Sequence, residues 1–314
     1  MYDVIGDVHG QGGKLRALLA RMGYVHRTGS WHAPQGRQAV FVGDLIDRGP
    51  EQLNVLDIVR RMVDTGQARV VMGNHEFNAL GYATRNPAGQ FLRPRSAKNR
   101  AQHAAFLAEV GEDSPRHVEW ANWFRTLPLS LNLGGIRVVH AWWDDYAAKS
   151  IEQARGGAAR ALDNDVLVRC YQDADLERAR KLLTCGVEMV LPQGAWIVDK
   201  EGHRHPDARL AVWRHGARRL RDMAIVPVGS EDAVPDIDVP AEYRLGEVKG
   251  APILFGHHWF NGPVKLESPK VACLDWSAAR DGPLVAYRWD GEAELRHHGL
   301  VAVGAEAACL DRGA

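Results

Sequence analysis

Cysteine is scarce in this chain. Cys170, Cys185, Cys273 and Cys309 are spread over 314 residues, and none belongs to a C-x-x-C pair. Such spacing argues against a disulfide framework and points to reduced, mostly buried thiols in a cytosolic protein. Net charge is missing too, with 39 basic residues balanced by 39 acidic ones. Without a large single-sign field, neither a membrane nor a nucleic-acid partner is expected. No apolar run approaches the roughly 20 residues of a membrane span. The opening MYDVIGDVHG has no basic segment and no apolar stretch, so no signal peptide is expected. A cytoplasmic location is the resulting expectation.

What is present is ordinary globular material, 46% hydrophobic and 25% charged, enough for a sizeable core. The first 80 residues alternate between two periods. β-prone runs at 2–5, 39–42 and 69–72 each end at a glycine, and helical spacing of Leu and Val covers 14–22 and 53–63. This is β-α-β-α-β, the pattern of a mostly parallel sheet. Residues 83–100 read as a long exposed loop. Helices are expected at 97–110 and 116–126, and Gly134-Gly135 signals a hairpin between 129–133 and 136–139. Further on, helices are expected at 151–162 and 174–184, a small hairpin around the turn at 199–202, and an acidic connector at 229–240. Strands return at 252–255, 271–274 and 284–289 and are expected to be antiparallel. The chain therefore reads as one domain over 1–314, with a catalytic core at 1–145 and 250–290 and an insertion at 146–249.

Three early strands end in polar clusters: Gly6-Asp7-Val8-His9-Gly10, Gly43-Asp44-Leu45-Ile46-Asp47-Arg48-Gly49 and Gly73-Asn74-His75-Glu76. His140 and His257 follow later apolar strands in the same way. The carboxyl ends of strands line one edge of an open sheet, so residues distant in sequence converge there. Asp7, His9, Asp44, Asn74, His140 and His257 together offer carboxylate, carboxamide and imidazole donors. That mixture suits manganese, iron or zinc and suits calcium poorly. Two cations roughly 3.5–4 Å apart need about six such ligands with one carboxylate shared, and they activate a water between them. Asp44, on the strand expected to be central, is the natural bridge.

These motifs resemble those of the phosphoprotein phosphatase (PPP) family of calcineurin-like metallophosphoesterases, in a bacterial-type member. GDVHG at 6–10, GDLIDRGP at 43–50 and GNHE at 73–76 carry the resemblance, with Val138-Val139-His140-Ala141 and Phe255-Gly256-His257 behind them. The resemblance implies an α/β (α+β) fold, a β-sandwich flanked by helices. It implies that Asp7, His9 and Asp44 hold one divalent metal and that Asp44, Asn74, His140 and His257 hold the second, manganese first among the candidates. His75 would be the general acid, Asp47 its orienting carboxylate, and Arg48 a phosphate ligand. Arg209 is the candidate for a second phosphate arginine, with Arg214 next. Glu76 would sit in the first turn of a helix, where negative charge is favourable.

Where the family has Ala or Gly followed by Gly after the fourth motif, this chain has Ala141-Trp142-Trp143. The expected activity is metal-dependent hydrolysis of phosphate monoesters, in small esters or phosphoproteins, by direct attack of a hydroxide bridging the metals. The alternative is symmetric cleavage of a dinucleoside polyphosphate such as diadenosine tetraphosphate, with Trp142, Trp143 and Trp259 as surfaces for the bases. A silent binding module would be expected to have lost some of these groups, and all are present. His297-His298 is expected at the surface, and Arg93-Pro94-Arg95 could cover the substrate.

Overall fold

In the computed structural model, residues 1–157, 160–198, 204–226 and 229–304 are described. The strands are β1 (Tyr2–Ile5), β2 (Val25–Arg27), β3 (Ser30–His32), β4 (Gln38–Phe41), β5 (Ala68–Val70), β6 (Ser130–Asn132), β7 (Arg137–Val139), β8 (Glu188–Val190), β9 (Ile197–Val198), β10 (Arg204–His205), β11 (Asp207–Arg209), β12 (Ile253–Phe255), β13 (Val271–Cys273), β14 (Leu284–Trp289) and β15 (Leu300–Val303). The helices are α1 (Gly12–Arg21), α2 (Gln52–Asp64), α3 (Asn74–Ala83), α4 (Ala97–Gln102), α5 (Ala104–Val110), α6 (Pro115–Thr126), α7 (Asp145–Arg155), α8 (Asn164–Gln172), α9 (Ala174–Cys185) and α10 (Leu220–Met223). Among the described residues no helix is long and apolar enough to cross a membrane.

Two sheets make the frame. One has the order β15-β14-β1-β4-β5, the other β13-β12-β7-β6. β1, β4 and β5 run parallel, as the β-α-β-α-β pattern predicts, and β14 and β15 close the sheet antiparallel. In the second sheet β12 lies parallel to both β7 and β13, against the antiparallel expectation. Long connections, not hairpins, join these three strands, which permits parallel pairing.

Strand alternation divides the core. Val4, Val40 and Val71 of the first sheet meet Ile136, Val138, Leu254 and Ala272 of the second in one cluster. Their neighbours Ile5, Ala39 and Phe41 point the other way and join a larger cluster with Leu15, Leu18, Val55 and Val59 of α1 and α2. Each such fully buried Val, Leu, Ile or Phe side chain contributes about 1.5–3 kcal/mol. The hairpin at Gly134-Gly135 has a packing reason, since a Cβ at 135 would lie 2.4 Å from the Trp289 ring of the first sheet.

Several helices differ from the pattern reading. α7 begins at Asp145, six residues before the expected 151, because the Asp144 side chain accepts from the Ala147 amide as an N-cap. Asp163 caps α8 in the same way, a helix the hydrophobic period did not reveal. The expected helix over 97–110 is broken at His103 into α4 and α5. The expected turn at 199–202, and Cys309, lie outside the described residues. The 229–240 connector is only partly exposed, with Val234 and Val239 buried.

A buried charge ties the chain ends into the first sheet. Asp3 accepts from Arg37 Nη2 at 2.7 Å, Arg288 Nε at 3.1 Å and Tyr24 Oη at 3.0 Å. Asp3→Ala leaves Arg37, itself nearly buried, without its main partner. The urea midpoint should fall by the equivalent of about 3 kcal/mol with the slope unchanged; a change under about 1 kcal/mol would show the network to be dispensable.

Candidate active site

The polar clusters all follow the carboxyl ends of β1, β4, β5, β7 and β12, and the two sheets bring those ends together. His9 Nε2 lies 3.5 Å from Asp44 Oδ2, and His140 Nε2 lies 3.4 Å from Asp44 Oδ1. Asn74 Oδ1 is 3.0 Å from His140 Nε2 and 2.9 Å from His257 Nδ1. The His257 amide donates to Asp7 Oδ2 at 3.0 Å. Two sets of potential ligand atoms, from His9, Asp44 and His75 and from Asp44, His140 and His257, each fall within 4.8 Å, and Asp44 belongs to both.

The surroundings fit a bound cation. Asp7 Oδ1 and His257 Nε2 are buried with no hydrogen-bond partner among the described residues. His9 Nδ1 donates to the Ile46 carbonyl and His140 Nδ1 to the Val42 carbonyl, each at 2.8 Å. Those bonds fix the ring orientation and leave Nε2 of each facing Asp44. A Cβ at Gly256 would lie 1.7 Å from Asp7 Oδ1, and one at Gly73 would lie 2.1 Å from Asp44 Oδ1. His9, Asp44, Asp47, Arg48 and His257 all take left-handed φ angles between 44° and 72°. Each such angle costs of order 1 kcal/mol, and strain of this kind gathers at functional sites.

Electrostatics gives the same picture. Burial, with Asp275 beside it, pushes Asp7 well above the usual carboxylate range. Burial also opposes ionisation of Asp44, but His140 and His75 outweigh it and hold Asp44 well below that range. Burial lowers His9 to about 3, whereas Asp44 overcomes burial at His140 and raises it to about 10. A carboxylate desolvated in this way is stabilised by a nearby cation.

His75 Nδ1 lies 2.6 Å from Asp47 Oδ2, and His103 Nδ1 lies 2.8 Å from Asp47 Oδ1. Burial opposes the charged forms, yet His103 and His75 bring Asp47 down to about 2. Burial lowers His75, but Asp44 and then Asp47 leave it above its ordinary value. Sequence reasoning missed His103, which fell inside a predicted helix; its place at the α4–α5 break is what turns it onto Asp47.

Glu76 is in the first turn of α3, as expected, but its carboxylate does more than face a helix end. It is fully buried and accepts from the amides of Asp44 (2.9 Å), Leu45 (2.8 Å), Ile46 (3.3 Å) and Gly73 (2.9 Å). Burial raises it to about 7.

A cavity of about 1220 Å³ opens on this cluster, lined by Arg48, Arg209, Arg93, Asn78 and Trp259 among others. Arg209 Nε is buried and without a partner among the described residues, while Nη2 lies 3.4 Å from Glu188 Oε1. Arg214 donates to the Asp222 carbonyl and does not line the cavity. Trp142 and Trp143 are not in the cavity either, being 5% and 7% exposed. Trp142 stacks on Trp213, so these two rings belong to the core and do not offer base platforms. Trp259 does line the cavity. His258 is buried among Trp213, Phe255 and Phe260, and His297 and His298 are exposed, as expected.

Glu76→Gln places an NH2 group against amides that need an acceptor. Stability should fall by about 2–4 kcal/mol, and metal retained after dialysis should fall with it. Wild-type metal retention in a variant with lowered stability would separate Glu76 from the ligand loop.

The profile of the calcineurin-like phosphoesterase family matches residues 2–229. The bis(5'-nucleosyl)-tetraphosphatase PrpE (asymmetrical) of Bacillus subtilis (strain 168) is 33% identical over 144 residues, 45% of this chain and 57% of that protein. The protein of the same name from Halalkalibacterium halodurans is 47% identical over 74 residues, 24% of this chain and 30% of that protein. The chain thus spans between 30% and 57% of the length of these curated relatives. A serine/threonine phosphatase from Saccharomyces cerevisiae with similarity to human PP5 superposes with a TM-score of 0.49 at 16% identity, over 96% of this chain and 78% of the other. A putative diadenosine tetraphosphatase superposes with a TM-score of 0.45 at 17% identity, over 96% and 92%. The family match spans well over half of the chain and includes the three glycine-flanked motifs, so this protein belongs to the calcineurin-like phosphoesterases, metal-dependent hydrolases of phosphate esters with a dinuclear divalent centre.

Proposed function

We propose that the protein hydrolyses dinucleoside polyphosphates, diadenosine tetraphosphate being the representative substrate. The observation that carries this reading is the cavity: about 1220 Å³, with four arginines, Arg48, Arg93, Arg209 and Arg280, in its lining. One phosphoryl group needs neither that space nor that much positive charge. The names of the curated relatives point the same way.

In this reading Asp7, His9 and Asp44 hold one cation, and Asp44, Asn74, His140 and His257 hold the other. The chemistry such cations supply when bound is Lewis-acid activation of water and of phosphoryl oxygens. Manganese suits the mixed oxygen and nitrogen donors best, with iron or zinc also compatible. Arg48 and Arg209 grip the phosphoryl group that is attacked, their planar forks matching its oxygens. The water gives one proton to solvent and its oxygen bonds to phosphorus, the P–O bond on the far side breaks, and the leaving oxygen takes the proton of His75, which solvent later restores. Asp47 holds the His75 ring in place and keeps it charged until that transfer. The segment 146–249 acts as an insertion within one functional unit, bringing Arg209 to the core residues. A cytoplasmic location follows from the thiol chemistry.

The second reading is hydrolysis of phosphate monoesters, including phosphoproteins. It rests on the same acid pair and Arg48, which address a terminal phosphoryl group whatever carries it. Metal-stripped protein reloaded with manganese decides between them, given p-nitrophenyl phosphate, a phosphoserine peptide and diadenosine tetraphosphate in parallel. The dinucleotide should win in kcat/KM by at least about tenfold; preference for the monoesters would overturn the first reading in favour of the second.

His75→Asn should keep the metals and lower turnover by roughly 100-fold or more on substrates with poor leaving groups. The loss should be smaller on p-nitrophenyl phosphate, whose leaving group needs less protonation. Equal losses on both would remove His75 from the acid role.

A further inference from the structure

Among the described residues, one cation next to the cluster has no ion-pair partner. Arg93 Nη1 donates to Asn78 Oδ1 at 3.0 Å and Nη2 to Gln102 Oε1 at 2.8 Å. Among the described residues both of these partners are neutral amides, and Arg93 forms no ion pair. The neighbouring Arg95 and Arg100 behave differently, pairing with Glu112 and Asp113. Burial pushes the Arg93 guanidinium down from its ordinary value, and Tyr171 and Asp47 offset this only in part.

The place is built for this side chain. The Arg93 amide donates to the Gly81 carbonyl at 2.9 Å, which lays the segment on α3. A Cβ at Gly81 would lie 2.1 Å from Tyr171 Oη and 3.2 Å from Arg93 Cβ, so glycine is what admits both. Arg180 lies over the rings of Phe77 and Tyr171 at 5.0 and 5.3 Å. Its Nε is buried without a partner, and the nearest described carboxylate is Glu177 at 3.9 Å. Asn78 follows His75 by three residues on α3, so it shares that helix face and places Arg93 about one turn from His75.

We propose that Arg93, oriented by Asn78 and Gln102 and backed by Arg180, is an anion subsite for a second phosphate of the substrate, on the leaving-group side of the bond that is cut. The inference rests on the polyphosphate reading above and assigns a place to the charge that reading requires. His75 protonates the leaving oxygen, so whatever departs passes this helix face. A departing nucleoside polyphosphate carries negative charge there, and a guanidinium fork without a carboxylate partner binds phosphate oxygens through charge-assisted hydrogen bonds. Arg48 and Arg209 remain with the phosphoryl group under attack.

The test uses the full chain loaded with manganese in excess, p-nitrophenyl phosphate as reporter, and two competitive inhibitors: AMP and adenosine 5′-(α,β-methylene)diphosphate. In the wild type the diphosphate should bind at least about tenfold tighter than AMP. Arg93→Met should cut that ratio to below about threefold, with a smaller rise in KM for the reporter, and Arg93→Lys should recover part of it. A ratio that survives in Arg93→Met overturns the subsite. Thermal melting reads binding without turnover: the diphosphate should raise Tm more in the wild type than in Arg93→Met, and equal shifts also overturn it. Wild-type hydrolysis of diadenosine tetraphosphate is measured alongside. No preference for the dinucleotide, together with a ratio lost in Arg93→Met, sinks the substrate class and keeps the subsite. A clear preference with the ratio intact in Arg93→Met does the reverse.

Discussion

Four backbone N–H groups point at the carboxylate of Glu76, and the shape of the ligand loop follows from that convergence. The loop after β4 must leave its strand, turn through left-handed angles at Asp44, Asp47 and Arg48, and still present three functional side chains. Nothing in the local preferences of Asp-Leu-Ile-Asp-Arg demands that path. A buried acceptor supplied from α3 does, because each of those amides would otherwise be desolvated without a partner. The same carboxylate bonds to Gly73 and so binds the β5–α3 junction, which carries Asn74 and His75, to the β4 loop, which carries Asp44 and Asp47. Two segments that carry candidate metal ligands, from separate strands, are fixed to one another by the protein alone.

A second layer of the site works through charge placement. Asp44 stays ionised because imidazoles surround it, whereas Asp7 is pushed toward protonation by burial and by Asp275. Asp47 sits between two imidazoles, one belonging to α3 and one to the break between α4 and α5. The segment 146–249 contributes through β11, whose Arg209 lines the cavity with a buried nitrogen that has no partner among the described residues. The cavity is thus walled by cations where the ligand cluster is rich in anions.

Much of this was legible in the sequence because glycine and acid at strand ends are costly for anything but a site. Gly6, Gly43, Gly73 and Gly256 mark where backbone and ligand must approach, and the residues beside them are those the structure gathers. The parallel sheet around β1, β4 and β5 was legible for the same reason, through clean changes of hydrophobic period. The rest depended on long-range contacts. His103 looked like an interior helix position until α4 ended beneath it. Trp142 and Trp143 stood next to His140 in sequence, but at period two one neighbour of a ligand turns into the core, and the stack on Trp213 takes the other with it. The direction of β12 and β13 was set by long connections whose paths no local pattern encodes. α8 was hidden because its signal was the Asp163 cap and not a strong apolar stripe.

The first sheet joins the two ends of the sequence: β1 is hydrogen-bonded on one side to β4 and on the other to β14, and Asp3 of β1 is neutralised partly by Arg288 of β14. During synthesis β1 and β4 leave the ribosome well before β14, which follows some 280 residues after β1. Until β14 emerges, β1 offers an open edge and a half-paired acid. His257 also emerges late, so the last of the gathered donors arrives shortly before the strand that seals the sheet. The candidate site thus gains its last donor, and the first sheet its strand β14, within about 30 residues of synthesis of one another.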